Sequence, residues 1–116
     1  MSTLEILQWA RELISDPERW SNSWFAEDVI GKIVEPDDER ACRWCLLGAI
    51  WKVAATPDKV ALALDELYRD LFATRTVRSN RSQDNHRMAL ELLDRSICRL
   101  MVQQRARSYF TTRACG

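Results

Sequence analysis

Hydrophobic residues recur at helical spacing in four stretches of the chain, and the period breaks in one stretch between the first and second. Leu4, Leu7, Ala10, Leu13 and Ile14 form the first apolar stripe, with Ser2 as the predicted N-cap and Glu5 as its capping-box partner. That helix is predicted to end near Ser15, because Pro17 disfavours helix at Asp16, and Asp16 then caps a short turn begun by Pro17. From Ser21 to Pro36 aromatic and β-branched residues gather around Gly31, which predicts a small β-hairpin turning there. Glu35, Asp37, Asp38 and Glu39 follow as an acidic helix start, with Asp37 or Asp38 as N-cap.

The stretch Trp44 to Trp51 carries no charge, and Trp44, Cys45, Leu46, Leu47, Ile50 and Trp51 leave almost no polar face on a helix. It predicts a buried central helix running from the acidic start to about Ala55, with Cys45 facing the core. Gly48 inside it costs about 1 kcal/mol relative to Ala, which predicts close approach of another backbone. Thr56 and Pro57 restart a third helix with Val60, Ala61, Leu64, Leu67, Tyr68 and Leu71 turned inward. Residues 73 to 85 read as a polar loop. The last helix is predicted from about Gln83–Asn85 to Gln104, burying Ala89, Leu90, Leu93, Ile97, Leu100 and Met101, with Arg95 and Arg99 on the opposite side. The expected fold is mainly α: a four-helix single domain over 1–104, with a small β-hairpin between helices 1 and 2. The Arg-containing tail, 105–116, is expected to fray or to dock through Tyr109 and Phe110.

Composition adds one feature that the periodicity does not show. The net charge is zero, yet residues 1–72 carry eight Lys and Arg against fourteen Asp and Glu, a balance of −6, and residues 73–116 carry nine Arg against three acids, a balance of +6. All nine cations of the second part are Arg, which suits planar contacts to carboxylate or phosphate. Charge blocks are commonly just solvated faces, but Arg75, Arg78 and Arg81 fall every third residue in the polar loop and mark the most exposed cationic cluster. Together with Arg95 and Arg99 they are candidate partner-binding residues. Glu35, Asp37, Asp38 and Glu39 form the acidic counterpart, able to imitate phosphate toward a nucleic-acid-binding enzyme.

Candidate chemistry is sparse. Cys42 and Cys45 form a C-x-x-C, but a redox thiol needs a helix N-terminus and the predicted helix starts earlier, so buried structural cysteines are expected. A zinc site would need two further ligands from His86, Cys98 and Cys115, which lack paired spacing, so no metal is expected. Gly31, Gly48 and Gly116 are not grouped into a phosphate-binding loop, and no cofactor is implied. His86 could serve Cys45 as a base, with Asn80 or Asp84 orienting the ring, in a thiol-dependent enzyme; a His in the first turn of a polar helix is more often solvated or capping. No run approaches a membrane span, the first residues lack the pattern of a signal peptide, and the chain is expected to be cytoplasmic with reduced thiols.

The motif Trp44-Cys45-Leu46-Leu47-Gly48-Ala49 resembles the central helix of an uncharacterised family of small bacterial and phage-associated domains. Trp20, Ala26, Asp28 and Gly31 resemble that family's hairpin, and Asn80 with Leu90, Leu93, Asp94 and Ile97 its last helix and approach. The similarity spans about residues 4 to 100. Two departures are Arg81, where the family pattern has Asp after Asn, and Cys42 with the Arg-rich tail. The resemblance implies the helical fold and a prokaryotic or phage origin, and no reaction. The expected function is a non-catalytic interaction protein binding a protein or ribonucleoprotein partner through charged faces, for example as an inhibitor of host defence such as an anti-CRISPR protein. Two alternatives stand beside it: a thiol-dependent enzyme using Cys45 and His86, and a nucleic-acid-binding accessory protein using the Arg-rich C-terminal part.

Overall fold

The computed structural model of the chain describes residues 1–22, 25–71 and 82–115, with side chains described over 85–107 in the last segment. α1 (Thr3–Leu13) begins with the expected capping box: the Ser2 hydroxyl accepts from the Glu5 N–H and the Glu5 carboxylate accepts from the Ser2 N–H. A 3₁₀ turn, Pro17–Arg19, follows with Asp16 as its cap. β1 (Ala26–Glu27) and β2 (Ile33–Val34) form the hairpin, antiparallel with Ala26 opposite Val34. Its turn is rigid. The buried Asp28 carboxylate accepts from the N–H groups of Ile30 and Lys32, and Gly31 supplies the left-handed backbone with φ +87°. The turn displays Val29 and Ile30 to solvent.

The second half of the acidic stretch departs from expectation. Asp38 does not start a helix. Its N–H donates to the Glu35 carbonyl across a turn with Pro36 at the second position, and its carboxylate accepts from the Arg40 N–H and side chain. Two turns in succession reverse the chain, so Arg43–Trp44 becomes a third strand, β3, antiparallel to β1 with Ala26 opposite Trp44. The strand order is β2-β1-β3. Trp44 fits a strand because its indole N–H donates to the Pro36 carbonyl at 3.0 Å while its ring joins the core. The uncharged stretch is therefore strand first and helix afterwards, with α2 limited to Leu46–Ala54. Cys45 is the N-cap of that helix and not an interior residue, its sulfur accepting from the Gly48 N–H at 3.3 Å.

Gly48 does meet another backbone, as expected. A methyl there would overlap the Phe25 carbonyl oxygen and lie 2.6 Å from the carbonyl carbon. The same carbonyl accepts from the Cys45 N–H at 3.0 Å, which seats the strand β1 on the first turn of α2.

α3 (Pro57–Leu71) and α4 (Ser82–Cys115) complete the bundle. The core joins Ile6, Leu7 and Ala10 of α1 and its C-cap Ile14 to Ala49 and Ile50 of α2, Val60, Ala63 and Leu67 of α3, and Ala89, Leu92 and Leu93 of α4. Tyr68 is exposed, and Asp70 occupies the inward position two residues on. Asp70 meets the buried Ser96 hydroxyl at 2.7 Å and the Arg99 guanidinium at 3.0 Å, and Arg99 also reaches Glu66 at 2.7 Å. Arg99 is thus half-buried in an α3–α4 network, where a free outward side chain was expected. Arg11 and Asp94 tie α1 to α4 at 2.8 Å. α4 runs past Gln104 to Cys115, so the expected tail continues the helix. Among the described residues no helix is long and apolar enough to cross a membrane.

Burial pushes the Asp70 carboxyl up, but hydrogen bonds from Arg99 and Ser96 outweigh it and hold the group below its ordinary value. A carboxyl depressed by folding contributes stability above its unfolded pKa and loses it as pH falls through the folded one. Asp70→Asn is expected to cost about 3 kcal/mol near neutrality by leaving Arg99 poorly paired, and to flatten the loss of stability below about pH 4. Urea unfolding at neutral and acid pH checks both.

Candidate functional site

Two of the four acidic candidates, Glu35 and Asp37, are brought to a cleft of about 320 Å³ whose walls are Phe25, Pro36, Trp51, Lys52 and Ala55. Its construction follows from the local folds. Pro36 is buried beneath its neighbours and fixed through the bond from Trp44, so Glu35 and Asp37 on either side of it are held outward and exposed. Phe25 adopts φ +64°, a left-handed conformation that non-glycine residues rarely hold. That twist sends the Phe25 carbonyl to α2 while the residue also lines the cleft. Trp51, Lys52 and Ala55 come from the other end of α2, which Ala55 closes in the left-handed conformation with its N–H on the Trp51 carbonyl.

The electrostatics favour a cation. Glu35 and Asp37 outnumber Lys52, and the C-terminal end of α2 adds the partial negative charge of its unpaired carbonyls. Phe25 and Trp51 on the wall are aromatic residues, the type that attracts a guanidinium or ammonium group.

The remaining candidates go elsewhere. Asp38 is occupied by Arg40, whose side-chain hydrogen bonds hold its carboxyl down at about 2. Glu39 is exposed outside the cleft, and so is Arg95 on α4. Arg99 is committed to Asp70 and Glu66. Arg75, Arg78 and Arg81, and Asn80 with them, lie outside the described residues.

Cys45 and His86 make contacts with different groups. His86 is buried, stacked on Trp20 with ring centroids 5.1 Å apart, and its Nε2 bonds the Ile14 carbonyl beyond the end of α1. A carbonyl only accepts, so Nε2 carries the proton and acts as donor. Burial of this residue at a polar helix start, where a solvated His was expected, comes from Trp20 folding over it. Cys45 lines a separate, largely apolar groove of about 380 Å³ with Trp20, Leu46, Met88 and Leu92. Among the described residues no group of three His, Cys, Asp or Glu side chains is placed to hold a metal ion.

The wall residues Phe25 and Trp51 are not recognisable as such in the sequence, where Trp51 reads as core. A usable signal is Glu35-Pro36-Asp37, in which proline between two carboxylates marks an exposed turn.

Since Arg43–Trp44 is extended, Cys42 and Cys45 are separated by about 10 Å of chain, beyond the roughly 7 Å that a disulfide tolerates. Mild oxidation of the native protein is expected to leave no Cys42–Cys45 disulfide, as mass spectrometry of peptides would report.

The chain belongs to a family described as a family of unknown function, DUF6197, which matches residues 1–111. No curated protein and no solved structure matches the chain.

Proposed function

We propose that this member of DUF6197 is a non-catalytic interaction protein that takes a basic segment of a protein or ribonucleoprotein partner in the Glu35–Asp37 cleft. The observation that carries this reading is the convergence, at one concave site, of two exposed carboxylates, two aromatic residues and the carbonyl end of α2. An arginine side chain satisfies all three: its fork meets a carboxylate, its plane stacks on a ring, and its charge offsets the helix end. Phosphate is imitated by the carboxylates, so a partner that uses arginines to grip nucleic acid offers the matching surface. An inhibitor of a bacterial host-defence complex, including an anti-CRISPR protein carried by a phage, is one such interaction protein.

The test uses a short arginine-rich peptide, titrated into the protein while the indole N–H resonance of Trp51 is followed by NMR. Glu35→Gln with Asp37→Asn is expected to weaken binding about tenfold, and added salt to weaken it in the unmodified protein. Equal binding by the double variant would remove the cleft from the function.

A further inference from the structure

α4 outruns the domain it helps to build. Its residues Ala89, Leu93 and Ser96 are buried, and its packing partners are α1 and α3. From Met101 to Arg107 every residue is exposed, including those on the side that continues the buried stripe. A helix of 34 residues is about 51 Å long, most of the molecule's longest dimension of 59 Å. Over Met101–Arg107 the arm buries no side chain, and isolated helices of a few turns are marginal in water, so a docked state would stabilise it.

The arm is cationic. Arg105 and Arg107 are exposed and form no ion pair among the described residues. Among the described residues none of α4 lines the cleft of the same molecule, whose walls come from Phe25 just before β1, the Pro36 turn and the end of α2. The net charge of zero means that two copies do not repel at long range.

We propose that the α4 arm of one copy docks in the Glu35–Asp37 cleft of a second copy, with the guanidinium of Arg105 or Arg107 against Phe25, Trp51 and the two carboxylates. This rests on the reading of the cleft as a site for cationic side chains. Each copy owns one arm and one cleft, so reciprocal docking closes a two-fold dimer, while one-way docking builds head-to-tail chains. In either arrangement the cleft is filled at rest, and a partner's basic segment must displace the arm. Self-association and partner binding then compete for one surface.

Sedimentation velocity of the full chain over a concentration series at low salt is expected to show self-association that high salt reverses. Arg105→Glu with Arg107→Glu is expected to weaken it about tenfold or more, and Glu35→Arg with Asp37→Arg to do the same. Mixing the two charge-reversed proteins restores association, because the reversed arm fits the reversed cleft. A chain that is monomeric throughout, or one whose association ignores both reversals, overturns the proposal. N-acetyl-arginine amide, titrated against the Trp51 indole resonance of the R105E/R107E protein, separates the two levels. If the probe binds and the unmodified chain is monomeric, the cleft reading stands and self-association falls. If the probe does not bind, both fall.

Discussion

The Phe25 carbonyl, placed against the first turn of α2, is the contact on which the rest of the molecule depends. It accepts the Cys45 N–H and occupies the space that any side chain at position 48 would need. Holding Phe25 at φ +64° costs about 1–3 kcal/mol, a strain that survives only because the surroundings leave no alternative. The three strands are two residues each, too short to be stable alone, and this contact is what fastens them to the helices. It also decides where function can sit. One end of α2 is closed by Phe25 and by the Cys45 sulfur, which leaves the carbonyl end open beside Glu35 and Asp37.

Polar groups in this chain divide between those consumed in building it and those left available. Asp70, Ser96, Arg99 and Glu66 close on one another between α3 and α4, Arg11 closes on Asp94, and Asp38 on Arg40. His86 donates to the Ile14 carbonyl and Cys45 caps α2. Among the described residues that enter no ion pair are the two carboxylates at the cleft, Glu35 and Asp37, and Arg105 and Arg107 on the arm.

Much of the helical frame was legible because its signals are local: the Ser2–Glu5 box, Asp16 before Pro17, Thr56 before Pro57, and a glycine demanding backbone approach at 48. The misreadings came where tertiary contacts outweigh periodicity. Arg43 and Trp44 continue an apolar run that suits a helix, yet pairing with Ala26 and Glu27 and the bond to Pro36 make them a strand, which moves the helix start to Cys45. Tyr68, expected inward, is exposed, and Asp70 is buried because Arg99 and Ser96 supply partners that make a buried carboxylate tolerable, neither of them visible from the α3 sequence. Half of the cleft was legible as the acidic stretch. Its aromatic half was not, since Phe25 reaches it only through a backbone twist, and Trp51, in the uncharged run, read as a core residue.

The central claim is that the seating of Phe25 on Gly48 holds both the fold and the cleft, and Gly48→Ala tests it most directly. Adding one methyl forces the Phe25 backbone away, at a cost of about 1–3 kcal/mol. Thermal unfolding with the Trp51 titration by an arginine peptide should show a melting temperature lower by several degrees together with lost peptide binding at temperatures where the protein remains folded. A G48A protein with unchanged melting and unchanged binding would contradict the account.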